Sequence, residues 1–369
     1  MNQLFSPLKL NSKVILANRL VVAPMTTVQS NADGTISENE LAWLERLAKD
    51  NYGMVLSCAV AISPESIAFP NQLSAAADDK IPGLTKLAQR ANQAGGHTIV
   101  QLCHGGSRAN TQVSGLKSYS ASSYAIPKIP NFPDFIVPKE LTIEHIKSIV
   151  DEFAAACVRI EKAGFAGVEM HGANGYLFTQ FFSTMSNLRS DDYGGSLENR
   201  ARFAREVIQE CRRRVSADFI IGFRMTFENS FVESGLDVDE NIQIANWLTK
   251  DGINYLHTSQ IDYRAKSLKY PEKILLSYLR QQINHHLPLI GVGGVFDAAA
   301  AARALEYGAD LVAIGRAAIG NVNLPGLFAG NHALPYSLPY DRSHLEQLGL
   351  PSQFIDYLQN QLAMLNIVK

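Results

Sequence analysis

The chain is expected to fold as an α/β TIM barrel, a (β/α)8 barrel with an N-terminal hairpin and a long loop after its third strand. Three observations predict this. Eight short apolar runs alternate with helix-like segments along the chain, and most are continuously apolar, as strands buried on both faces are. Seven crossovers between eight such strands, with terminal helices, complete a barrel. A doubly wound sheet ranks second, because Gly291-Val-Gly293-Gly294 comes late and lacks the GxGxxG form.

The elements follow in order. The first strand is expected at residues 20–24. Ser37-x-x-Glu40 reads as a capping box opening a helix with Leu41, Leu44 and Leu47 on one face. Strand two spans 54–62, a helix 82–94 stops before Gly95, and strand three spans 98–102. Residues 104–140, rich in Gly, Ser, Pro and aromatics, form a capping loop; long insertions above strand ends shape or cover sites. Thr142 opens a long helix with Ile146, Ile149, Phe153, Cys157 and Ile160 at 3–4 spacing and Gly164 as its C-cap. Strands four to eight fall at 167–170, 219–225, 254–259, 288–292 and 310–314. Between them lie helices at 199–215, 237–250 and 271–285, and an alanine-rich helix capped by Asp297 and ending at Gly308. Residues 320–369 are a C-terminal extension with a final helix at 352–365. The whole chain, 1–369, reads as one domain.

Composition narrows the function. With 46% hydrophobic and 18% charged residues and a net charge of −2, the chain is ordinary for a globular protein. Its longest basic cluster, Arg212-Arg213-Arg214, ends a helical stretch and reads as a solvated helix C-terminus, so no nucleic-acid partner is indicated. No apolar run approaches the ~18 residues of a membrane span. The four cysteines show no CxxC and read as buried thiols of a reducing compartment; with no signal pattern, a cytoplasmic location is expected. The histidines offer no metal-ligand spacing, so no metal is expected.

The candidate chemistry sits at strand ends. His171-Gly-Ala-Asn174-Gly-Tyr176 follows strand four, where a barrel keeps its active site. Two neutral donors can hold a carbonyl oxygen, and a phenol can deliver a proton. Gly293, Gly294, Gly315 and Arg316 follow strands seven and eight, the usual phosphate site of barrels. Arg224, inside an apolar strand, needs an anionic partner: either a buried acid or a ligand that gains negative charge. Gln101 and Thr26 are further polar groups at strand ends.

These residues together resemble the Old Yellow Enzyme family of FMN-dependent ene-reductases over residues 4–320. The resemblance is carried by Leu4-Phe-Ser-Pro7, Asn18-Arg19 with Pro24-Met25, Gln101-Leu-Cys-His104-Gly-Gly, and the long run from His171 through Asn187, Arg189, Tyr193-Gly194-Gly195 and Arg202. It implies that Pro24, Met25, Thr26 and Ala59 line the flavin ring, with Gln101 on its pyrimidine edge. Arg224 would stand near N1 and O2, and Gly293, Gly294, Gly315 and Arg316 would hold the phosphate. His171 and Asn174 would bind the substrate's activating oxygen, and Tyr176 would protonate the alkene carbon. The implied cofactors are bound FMN and, as reductant, NADH or NADPH. The implied substrate is an activated alkene such as an α,β-unsaturated carbonyl or a nitroalkene, with quinones as further acceptors. Thr26, Val28 and Asn174 depart from the thermophilic-type branch, which has cysteine, tyrosine and histidine there. No iron–sulfur cysteine cluster or second flavin domain of the dienoyl-CoA-reductase kind is present in this sequence.

Two other readings stay open: a flavin-free barrel aldolase or isomerase, and a flavin-binding barrel without turnover. The first needs a lysine or an acid–base carboxylate at a strand end, and the second predicts decay of the His/Asn/Tyr set. The physiological substrate, the choice of nicotinamide and the oligomeric state, a homo-oligomer included, stay open as well.

Overall fold

Short apolar runs with no room for polar alternation become the eight parallel strands of a closed barrel. The computed structural model describes residues 3–127, 135–230 and 233–361. The barrel strands are β1 (Leu20–Val22), β2 (Met54–Ala61), β3 (His97–Cys103), β4 (Gly167–Gly172), β5 (Ile220–Met225), β6 (Tyr255–Thr258), β7 (Leu289–Val292) and β8 (Leu311–Ile314). Each pairs with its sequence neighbours, and β8 closes on β1 with Val312 opposite Leu20. All eight lie within a residue or two of the expected runs. β1 stops before Pro24, which has no N–H to continue the ladder.

Helices cover the outside: α1 (Glu38–Lys49), α2 (Ile81–Gln93), α3 (Ile143–Ala163), α4 (Leu197–Arg214), α5 (Val238–Asp251), α6 (Leu275–Gln282) and α7 (Ala298–Glu306). The expected caps are in place at Thr142 and Asp297, and Asp237, expected as the first helical residue, caps α5 instead; each accepts a backbone N–H of the first turn. Gly164 ends α3 in the left-handed region at φ 93°.

Three local expectations change. Ser37 caps α1 by accepting from Glu40 N, but the Glu40 carboxylate turns into the core and accepts from Thr27 Oγ1 at 2.6 Å instead of returning to the cap. α6 begins at Leu275, not at residue 271, because Ile274 bridges to Lys266 and Leu275 N donates to Ala265 O. Those backbone groups are spent on pairing rather than on a helical turn. Arg212 is not a solvated side chain: it donates to the carbonyls of Gly252 and Phe219 and ties α4 to the C-cap of the next helix and to the residue just before β5.

The hairpin Leu8–Lys9 with Ile15–Leu16 forms as expected. Its Leu10, Val14 and Leu16 join Met54, Ile99, Ile220 and Leu311 in one apolar cluster that plugs the N-terminal mouth of the barrel. The chemistry is thereby left to the other end. In the loop after β3, Tyr119–Ser120 pairs in parallel with Lys139–Glu140; its residues 128–134 lie outside the described ones. The last described helix, α8 (Ser352–Gln361), returns over the barrel, where Phe354 meets Trp43 of α1 edge to face at 5.3 Å. The expected helix residues 362–365 lie outside the described ones.

Candidate active site at the C-terminal mouth

A cavity of about 280 Å³ opens above β1, β7 and β8. Pro24, Met25 and Thr26 form one wall, Gly293, Gly294 and Phe296 another, and Gly315 and Arg316 a third. Asn174, Arg224 and Gln260 close its far side, and Tyr357 and Leu358 of α8 cover it.

The glycines are required by backbone geometry. Gly293 and Gly294 have φ of +100° and +70°. A Cβ on Gly293 would stand 2.5 Å from the Ile261 carbonyl carbon and oxygen. Both glycines line the cavity, so the backbone of this turn is open to a ligand with no side chain between. The Arg316 guanidinium lies beside them, 5.2 Å from the ring centre of Phe296.

Arg224 is the penultimate residue of β5, with Nη2 donating to Ser259 Oγ at 3.1 Å, while Nε is buried without a partner. Burial lowers its pKa, and the charges of Glu169 and Glu233 work against that loss. Ser259 Oγ in turn donates to Asn174 Oδ1 at 3.3 Å, so one hydroxyl links Arg224 to the β4 turn.

That turn is tightly held. Asn174 and Gly175 both take positive φ, +60° and +72°. Asn174 N donates to Thr226 Oγ1, Gly175 N to Glu233 Oε1 at 2.7 Å, and the Arg108 guanidinium donates to the Asn174 carbonyl. Tyr176 then opens the short helix Leu177–Phe182, with its ring centre 5.0 Å from that of His171. Burial drives the His171 pKa far down, and Arg224, Arg108 and His257 push the same way, so the imidazole is neutral. Its Nδ1 is buried without a partner. Burial also raises the Tyr176 phenol, against the pull of Arg108, so it keeps its proton at neutral pH.

Of the residues singled out from sequence, Pro24, Met25, Thr26, Asn174, Arg224, Gly293, Gly294, Gly315 and Arg316 line the one cavity. His171 and Tyr176 stand beside Asn174, outside that lining. Ala59 is buried in β2 opposite Gln101 and packs with Val28, Phe69 and Cys103. Gln101 points into the barrel, where its Nε2 donates to Glu169 Oε1 at 2.7 Å.

Several site residues had escaped the sequence reading. Arg108 and Glu169 lie next to quoted motifs, and a buried charge within an apolar run was the signal available for Glu169. Ser259, Gln260 and His257 carried none. Tyr357 lies in the extension and lines the cavity together with Thr26. Among the described residues no cluster of His, Cys, Asp and Glu could hold a metal ion, and no helix is long and apolar enough to cross a membrane.

Comparison with known proteins agrees with this geometry. The model of the NADH:flavin oxidoreductase / NADH oxidase family matches residues 3–332. A protein of Bacillus subtilis (strain 168) named "Probable NADH-dependent flavin oxidoreductase YqiG" is 35% identical over 319 residues, 85% of this chain and 84% of that one. NADH:fumarate oxidoreductase of Klebsiella pneumoniae (strain 342) is 33% identical over 95% of this chain, which spans only 38% of that protein. Among solved structures, morphinone reductase superposes with a TM-score of 0.81 at 30% identity, covering 93% of this chain and 92% of that one. The Old Yellow Enzyme homologue of Zymomonas mobilis gives 0.81 at 25% identity, covering 93% of this chain and 96% of that one. The resemblance to Old Yellow Enzymes thus holds in sequence and in fold: the chain belongs to the NADH:flavin oxidoreductase / NADH oxidase family of FMN-binding oxidoreductases.

Proposed function

We propose that the protein oxidises NADH or NADPH and reduces an alkene conjugated to a carbonyl or nitro group, in a two-step ping-pong cycle at this mouth. Quinones are further acceptors under this reading. The cavity fits FMN by its unmatched atoms. Arg224 Nε and both amide atoms of Gln260 are buried without partners, as polar groups awaiting a ligand are. The glycine turn at 293–294, with Gly315 and Arg316, would hold the phosphate, and Pro24, Met25 and Thr26 the ring. Ala59 and Gln101 would stand behind them, toward the barrel axis. When bound, FMN supplies two-electron hydride chemistry between nicotinamide and alkene.

The chain's own residues handle the oxygen and the proton. His171 and Asn174 donate to the acceptor's oxygen and stabilise the charge that grows there; a neutral imidazole does so without surrendering its proton. Tyr176 retains its proton until the alkene carbon needs it. One observation carries this reading: a neutral imidazole, a carboxamide and a protonated phenol share one rigid turn beside the cavity. No lysine lines the cavity, which counts against a Schiff-base aldolase.

A visible absorption spectrum of the purified protein tests the reading, followed by anaerobic bleaching with NADH and with NADPH and recolouring by an enone. A protein that bleaches but is never recoloured by an activated alkene would be a flavin barrel without this turnover.

A further inference from the structure

Beneath the cavity, Glu169 and His257 have no part in the chemistry above. Glu169 is fully buried in β4, facing the barrel axis. Its Oε1 accepts from Gln101 Nε2 at 2.7 Å and its Oε2 faces His257 Nδ1 at 2.9 Å. Burial would raise its pKa, but His257, Arg224 and Gln101 outweigh that and hold it below the usual carboxylate range. Burial lowers His257, against the opposing pull of the Glu169 carboxylate. Glu169 and Arg224 bring opposite charges to this layer of the barrel. Arg224 pairs in register with His257 on β6 and with His171 on β4, two residues above Glu169, and it lines the cavity.

A stable protein does not need a carboxylate at this depth, since apolar replacements of buried ions are often neutral or stabilising. Its position supplies another reason. An unopposed guanidinium at the cavity floor would strongly favour negative charge on whatever lies above it. We infer that Glu169 is a positioning residue for redox chemistry: its charge offsets Arg224 and thereby sets the reduction potential of the bound cofactor. The inference rests on FMN occupying the cavity.

The test is the midpoint potential of the FMN-loaded protein. Glu169→Gln removes the charge and keeps the shape, so the potential should rise. Reduction by NADH should quicken and reoxidation by an enone should slow in stopped-flow traces. Glu169→Met, which also removes the charge, is the second variant should the first not fold, and the same rise is expected. Glu169→Asp keeps the charge and should stay near the wild-type potential, which a merely structural role would not produce. An unmoved potential in a folded, yellow charge-removed variant overturns the inference and leaves the FMN reading intact. An equal shift in Glu169→Asp also overturns it. A wild-type protein that holds no flavin overturns both.

Discussion

The Arg108 guanidinium lies over the ring of Tyr176, 5.1 Å from its centre, and donates to the Asn174 carbonyl two residues earlier. One side chain from the loop after β3 thus holds both the Asn174 backbone and the Tyr176 ring of the β4 turn. A cation over an aromatic face contributes about 0.5–2 kcal/mol. Arg108→Met should therefore raise the KM for an enone by roughly 2- to 30-fold. Flavin reduction by nicotinamide, followed by stopped flow, should hold.

Tyr176→Phe keeps the ring and its packing and removes only the proton donor. Alkene reduction should fall by about 10²–10⁴-fold, the usual weight of general-acid help. The nicotinamide half-reaction and quinone reduction need no carbon protonation and should persist. Equal loss in both half-reactions would make Tyr176 a packing residue instead.

Arg316→Ala should weaken FMN retention. Charge-assisted hydrogen bonds contribute about 1.5–3 kcal/mol, so the affinity for FMN should drop by roughly 10- to 150-fold. Titration of the apoprotein by flavin fluorescence quenching measures it. Unchanged affinity would place the phosphate elsewhere.

Tyr357→Ala removes the wall that α8 contributes beside Thr26. Bulkier enones should then gain in kcat/KM over small ones, by at least about 10-fold for each methylene the wall now excludes. An unchanged ratio would show that α8 stays clear of the acceptor.

Acid should destabilise the protein through His171. The folded pKa is depressed, first by burial, whereas the unfolded chain titrates near ~6.5. Below ~6.5 the unfolded chain takes up a proton that the fold refuses. Stability present above that pH is therefore lost as pH falls toward the folded value. His257 acts in the same direction. A plot of Tm against pH should fall below ~6.5, and His171→Asn should make the fall shallower.

Sequence alone determined the barrel, most caps and the glycine turn, because each is settled within a few residues. A continuous apolar run needs no partner to be recognised, Asp297 accepts from Ala300 N three residues on, and Gly293 is demanded by its own φ. It also marked His171, Asn174 and Tyr176, which share one turn. The tertiary structure alone decided which groups meet across the barrel. Arg224 finds Ser259 35 residues later, and Glu169 finds Gln101 68 residues earlier and His257 88 residues later. Glu40 turns from its expected cap to Thr27, which the loop between β1 and α1 brings within reach of its carboxylate. Tyr357 joins Thr26 in the cavity lining only because α8 folds back along Trp43. Such pairs leave no periodic trace in the chain: strand register and closure place them, and these emerge only when all eight strands are paired at once.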